Sequence, residues 1–345
     1  METNMDEQTY DSSLTSHVAP LEAGAHVVLA AFLKGAPVLA LANGEVVFTN
    51  DGKRIGAHPD GGILVAASDA TRLVTGGDDG RVVIMSAEGG TTEAGSENGK
   101  WIDAVAVRDD GSVAWSVARQ VRARDAKGVV KNFEAPSSVR GLAFMPKGYR
   151  LALAHYNGLS LWFPNIVGEP DFLKWAGSHL DVTISRDGNF AVSSMQENSL
   201  HGWRIADKKD MRMTGYPSKT RSFSWSSDGE WLATSGADAC VVWPFQSKDG
   251  PMGKAPKECG VRKPKVTQVA FHPKSPVLAV AYEDGWILLC RLADGAELLV
   301  RRTPEGTPTT GRNRAAISAL CWDQDGKRLL FGAENGDAGL LTLPV

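Results

Sequence analysis

Four cysteines and seven histidines are the side chains of this 345-residue chain best suited to ligating a metal or attacking a substrate. Their spacing argues against both. Cys240, Cys259, Cys290 and Cys321 include no CxxC pair, and all but Cys259 fall inside apolar runs that read as strands, where a cysteine is usually a small buried hydrophobe. Zinc needs donors that converge tetrahedrally, and His17, His26, His58, His155, His179, His201 and His272 show no such spacing. Cys259 with a histidine from a nearby loop is the least remote nucleus, so no metal site and no cofactor are expected. GxSxG, HExxH, phosphate-loop and EF-hand strings are all missing. The glycine-rich stretches GGDDG (76–80) and GADAC (236–240) join apparent strands instead of leading into a helix N-terminus, where a phosphate would be cradled. They read as hairpin turns, and the chain reads as a non-enzyme.

The elements that must position any site are short strands. In KTRSFSWSSDGEWLATSGADACVVWPF (219–245), Ser222 to Trp225, Trp231 to Ser235 and Val241 to Phe245 alternate apolar and polar residues between Gly, Asp and Ser punctuation. The same unit starts near His26, Gly62, Trp101, Val139, Leu180, Val266 and Ile317, so eight copies recur at roughly 36 to 51 residues. The middle turn repeats as RDDG (108–111), SRDG (185–188), SSDG (226–229) and DQDG (323–326). Its Asp supplies a side-chain acceptor and its Gly a positive φ. Fourth strands are expected at Lys131 to Ala135, Phe172 to Trp175, Met211 to Tyr216 and Glu297 to Arg301. Trp115, Trp162, Trp203, Trp225, Trp243 and Trp322 fall within strands and read as core. Three insertions break the rhythm, at 164–171, 246–265 (long and basic) and 303–314.

On these repeats and paired turns, residues 14 to 345 resemble a WD-repeat β-propeller of the bacterial stand-alone kind. The resemblance implies an all-β, closed propeller of four-stranded antiparallel blades. Eight blades are expected, with seven plus an irregular insertion as the alternative, and the segment around Ser16 to Leu21 donates the closing outer strand. Residues 1–13 are expected to be a disordered tail. No unit ends in Trp-Asp, and the Gly-His pair survives only as echoes such as Ala57-His58 and Ser178-His179. The family's His-Ser/Thr-Trp-Asp hydrogen-bonded tetrad is therefore not carried over to any blade.

Hydrophobic content of 43% supports a sizeable core, and 37 glycines fit a turn-rich chain. A formal charge of −3 argues against a nucleic-acid partner. No apolar run reaches transmembrane length, and the N-terminus lacks the pattern of a signal peptide. A cytoplasmic monomer is expected. The resemblance further implies partner binding on the rim where the loops before the first strands gather. Trp101, Arg140, His179, Arg221, Lys263, Lys265 and Arg314 precede first strands, as do Lys100 and Arg312. A basic ring there would attract an unidentified protein or an acidic peptide. The leading expectation is a non-catalytic interaction scaffold. The alternative is a propeller enzyme, or a small-molecule or metal-binding accessory protein linked to metal homeostasis.

Overall fold

A computed structural model describes residues 13–308, 310–311 and 314–344. The expected tail lies outside these residues except for Ser13, which bridges Leu299. The described chain is built almost wholly of antiparallel strands in seven hydrogen-bonded sheets. The first holds Val27–Leu33, Ala36–Leu41, Glu45–Phe48 and Lys53–Gly56, and the second Ile63–Ser68, Arg72–Gly77, Arg81–Ser86 and Thr91–Ser96. The third holds Ala104–Val107, Val113–Val117, Gln120–Arg124 and Val130–Glu134. The fourth has six strands: Gly141–Phe144, Leu151–Trp162, Asp171–Ile184, Phe190–Met195, Leu200–Arg204 and Lys209–Met213. Phe223–Trp225, Trp231–Thr234, Cys240–Pro244 and Lys257–Cys259 make the fifth, and Val266–Phe271, Val277–Tyr282, Ile287–Arg291 and Glu297–Arg301 the sixth. The seventh combines Ile317–Trp322, Arg328–Ala333 and Asp337–Thr342 with Val18–Glu22 from the other end of the chain.

Counted as hydrogen-bonded sheets, the blades number seven and not the eight expected. The units expected from Val139 and Leu180 are joined. Asp171–Ile184 is one strand that pairs with Leu151–Trp162 along its first half and with Phe190–Met195 along its second, with a register shift between His179 and Asp181. The two halves pack on each other through Leu159, Leu161, Leu173, Val182 and Trp203.

The turns follow their local chemistry. Asp228 accepts from Glu230 N at 2.9 Å and from the Ser226 hydroxyl, and Gly229 takes φ 74°, which a side chain would resist. Asp187 repeats the arrangement with Ser185 and Asn189. The fourth strand of the fifth sheet is a departure. Lys257–Cys259 lies inside the basic insertion that reads as loop, and it places Cys259 opposite Cys240.

Core forms between the faces of successive sheets. Phe190, Met211, Trp225, Trp243 and Phe245 fill the space between the fourth and fifth. Val242, Val269, Tyr282 and Leu288 join the fifth to the sixth. Val27, Phe32, Leu39, Leu330 and Ala338 join the seventh to the first. All six strand tryptophans are buried, as their alternation requires. Full burial of one such side chain is worth about 2 to 3 kcal/mol.

Close approach between sheet strands needs glycine at Gly141. A Cβ there would stand 2.6 Å from the Asp181 Cα and 2.9 Å from its carbonyl carbon, and backbone yields less readily than a side-chain tip. Gly141→Ala should cost about 1 to 3 kcal/mol, read as a lower urea midpoint with an unchanged slope. A variant as stable as the parent would show that this junction is looser than its geometry.

Candidate interaction site at the central cavity

The strands that open the sheets gather around one cavity of about 1070 Å³. Every sheet contributes residues from its first strand or just ahead of it: Val28, Val65, Val105, Leu142, Thr220, Val266 and Ile317 are examples. The walls therefore combine apolar strand residues with polar ones such as Thr267, Gln268 and Ser318, and the mouth is formed by the residues that lead into them.

Of the seven rim residues expected, Arg140, Arg221, Lys265 and Arg314 line this cavity together. Trp101 and Lys263 are exposed but do not line it. His179 is buried; its Nδ1 lies 2.6 Å from the Ser193 hydroxyl and its Nε2 lies 3.0 Å from the Trp175 carbonyl. Burial lowers its pKa, while the bond to Trp175 opposes that shift. Arg312 lies outside the described residues.

The ring is mixed in sign. Lys219 joins the four basic residues, and Asp103, Asp181, Glu283 and Glu334 also line the cavity. Arg140 Nη1 stands 2.9 Å from Asp103 Oδ1. Arg314 grips Glu334 with two bonds of 2.8 and 2.9 Å. That guanidinium holds the Glu334 carboxyl below its usual range, helped by the charges of His26 and Arg221. The Lys265 amide donates to Glu283 Oε1 at 3.1 Å. Among the described residues, the side chains of Lys219, Arg221 and Lys265 form no ion pair. Of the cations without an ion pair, Arg221 and Lys265 are among those the sequence picks out, and Lys219 is not.

Polar relays fix the strands beneath the mouth. Trp243 Nε1 donates to the Tyr216 hydroxyl at 2.7 Å, Tyr216 donates to Thr234 Oγ1 at 2.6 Å, and Thr234 donates to the Val241 carbonyl at 2.9 Å. His58 contacts Asp79 at 3.0 Å and Thr75 at 2.8 Å, and His179, Ser193 and Trp203 form a third cluster. Partial versions of the tetrad therefore do occur, which the sequence reading missed because Tyr216 stands where a histidine is expected and Met85 follows the His58 set without an indole. The available signal was the Ser or Thr in the second strand of these three units, Thr75, Ser193 and Thr234.

The cysteines are free thiols. Cys259 is buried in a strand, not held in a loop with a histidine. Among the described residues, no group of three or more His, Cys, Asp or Glu side chains is placed to hold a metal ion.

Asp181 is the unusual member of the lining. Its Oδ1 accepts from the Val182 amide at 2.8 Å, yet burial pushes the carboxyl up to about 6, against the opposing effect of that bond. A carboxyl that binds its proton more tightly when folded costs stability once ionised, and the cost vanishes below the unfolded value near 4. Asp181→Asn should therefore gain about 1 to 2 kcal/mol at pH 7.5, with the gain fading as pH falls from 6 to 4. Thermal unfolding across that range checks it, and no gain at pH 7.5 would contradict burial of the carboxylate. Tyr216→Phe should lose about 1 to 3 kcal/mol by orphaning the Trp243 N–H, measured by denaturant unfolding. A loss absent in that variant would leave the relay without energetic weight.

Comparison with known proteins agrees with this architecture. A crystal structure of the computationally designed Ika8 protein superposes with a TM-score of 0.73 over 93% of this chain and 98% of its own, at 17% identity; that likeness concerns the fold alone. No curated protein sequence matches the chain. No helix among the described residues is long and apolar enough to cross a membrane. The family "WD domain, G-beta repeat" matches residues 209–243, the stretch that carries the Tyr216–Thr234–Trp243 relay. That repeat match and the arrangement of the sheets as propeller blades together support a WD-repeat propeller family.

Proposed function

We propose that this protein is a non-catalytic interaction scaffold, a cytoplasmic monomer of the bacterial stand-alone type. Its cavity mouth receives a protein or an acidic peptide. WD-repeat propellers are in general interaction scaffolds, which supports the class but not the partner. The observation that carries the site is that Arg221 and Lys265 stand at the mouth without ion-pair partners while Arg140 and Arg314 are paired. An acidic segment would meet the unpaired cations at no cost of breaking an existing pair. Trp101 and Lys263, exposed beyond the lining, would serve a partner that extends past the mouth. His179 would act only by holding the strand.

The proposal treats residues 14–345 as one propeller domain whose ring is closed by Val18–Glu22 on Asp337–Thr342, with Val18 opposite Leu341 and Glu22 opposite Asp337. Removing residues 1–22 should lower the melting midpoint by about 5 to 10 °C. A truncation that melts with the full chain would refute the clasp.

The binding test compares the parent with an Arg221→Ala, Lys265→Ala variant against a labelled octaglutamate peptide, and against partners captured from native cytosol. The variant should bind roughly three- to tenfold more weakly, and the difference should shrink at high salt. Equal binding by both proteins, with both folded, would move the site elsewhere.

A further inference from the structure

We propose that one wall of the cavity, formed by Asp181, Ser194 and Gln196, is a binding site for a primary alkylammonium group, with Asp181 as its counter-charge. The site stands independently of the reading of the mouth.

Asp181 and Ser194 are direct cross-strand partners. In an antiparallel pair such residues share one face of the sheet, and both line the cavity beside Gln196. Ser194 is 1% exposed, and its hydroxyl has no hydrogen-bond partner. A buried, unpartnered hydroxyl is uncommon in a native interior and calls for a missing group. Asp181 bonds only the neighbouring Val182 amide and enters no ion pair among the described residues. Arg140, which leads into the first strand of the same sheet, is committed to Asp103.

The wall thus offers a carboxylate with spare acceptor capacity, a free hydroxyl and a side-chain amide, but no cation. An ammonium has three N–H donors and no acceptor, which matches three oxygen acceptors. A guanidinium prefers a carboxylate open to its planar fork on both oxygens, and here the Val182 amide already occupies Oδ1. Leu142 and Leu180 also line the cavity and supply apolar surface for an alkyl stem.

The test follows the thermal midpoint of the full chain against n-butylammonium chloride at constant ionic strength. Tetramethylammonium, which carries the same charge but no N–H, is the control. Saturable stabilisation by butylammonium and none by the control is the expected result, since a ligand bound only by the folded state raises the midpoint. Each variant is compared with its own unliganded midpoint. Asp181→Asn should need at least about tenfold more ligand, and Ser194→Ala about three- to tenfold more. Arg221→Ala with Lys265→Ala should respond as the parent does, which separates this site from the mouth. An undiminished response in Asp181→Asn, an equal response to tetramethylammonium, or no response at all would overturn the proposal. Nα-acetyl-lysine amide distinguishes the source. A response at least as strong as that to butylammonium assigns the group to a partner's lysine, and a response confined to butylammonium assigns it to a free amine.

Discussion

Each sheet presents two apolar faces, and neither can be left in water. A strand such as Phe190–Met195, buried at every position, contributes to the core on both sides of its sheet. The only arrangement that satisfies such sheets is one in which each covers the next, and the clusters between successive pairs are the physical record of that requirement. The cavity is a geometric by-product. Twisted sheets packed around a common centre cannot all meet there, so their opening strands line an opening instead of filling it. Side chains just ahead of those strands are carried to its mouth whatever their identity.

The mouth cations were legible for that reason. Position relative to a strand start is a local property, and Arg140, Arg221, Lys265 and Arg314 were picked out by it. Their pairing was not legible. Asp103 sits a whole unit before Arg140, and only the packed structure brings their charges to 2.9 Å. His179 shows the opposite failure. It precedes a strand start, but its ring turns inward to Ser193 and Trp175, a choice made by buried partners and invisible in spacing.

The turns were the most readable part, since Asp228-Gly229 and Asp187-Gly188 encode their geometry within four residues. Sheet count was less readable, because it depends on whether a strand ends. Trp175 to Ser178 carry no strong breaker before Gly177, and the chain runs on in extended form from Asp171 to Ile184. The strand Lys257–Cys259 was hidden for a different reason. Three residues, two of them charged and exposed, give no periodicity, and pairing with Cys240–Pro244 alone defines it as a strand.

Pairing of Val18–Glu22 with Asp337–Thr342 also imposes an order in time. During synthesis, residues 18–22 emerge first and find their hydrogen-bonding partner only after more than 300 further residues have been added. Until then that segment is an unpaired strand edge, and the opening face of the first sheet lacks the cover of the seventh. Earlier sheets can stack as they emerge from the ribosome, but the last step waits on a very long loop, whose closure entropy grows only slowly with length. The growing chain is thus most exposed to mispairing with another nascent copy just before residues 337–342 emerge. Slow translation just ahead of Asp337, or a chaperone that holds the early strand, would matter more to the yield of this protein than the stability of any one sheet.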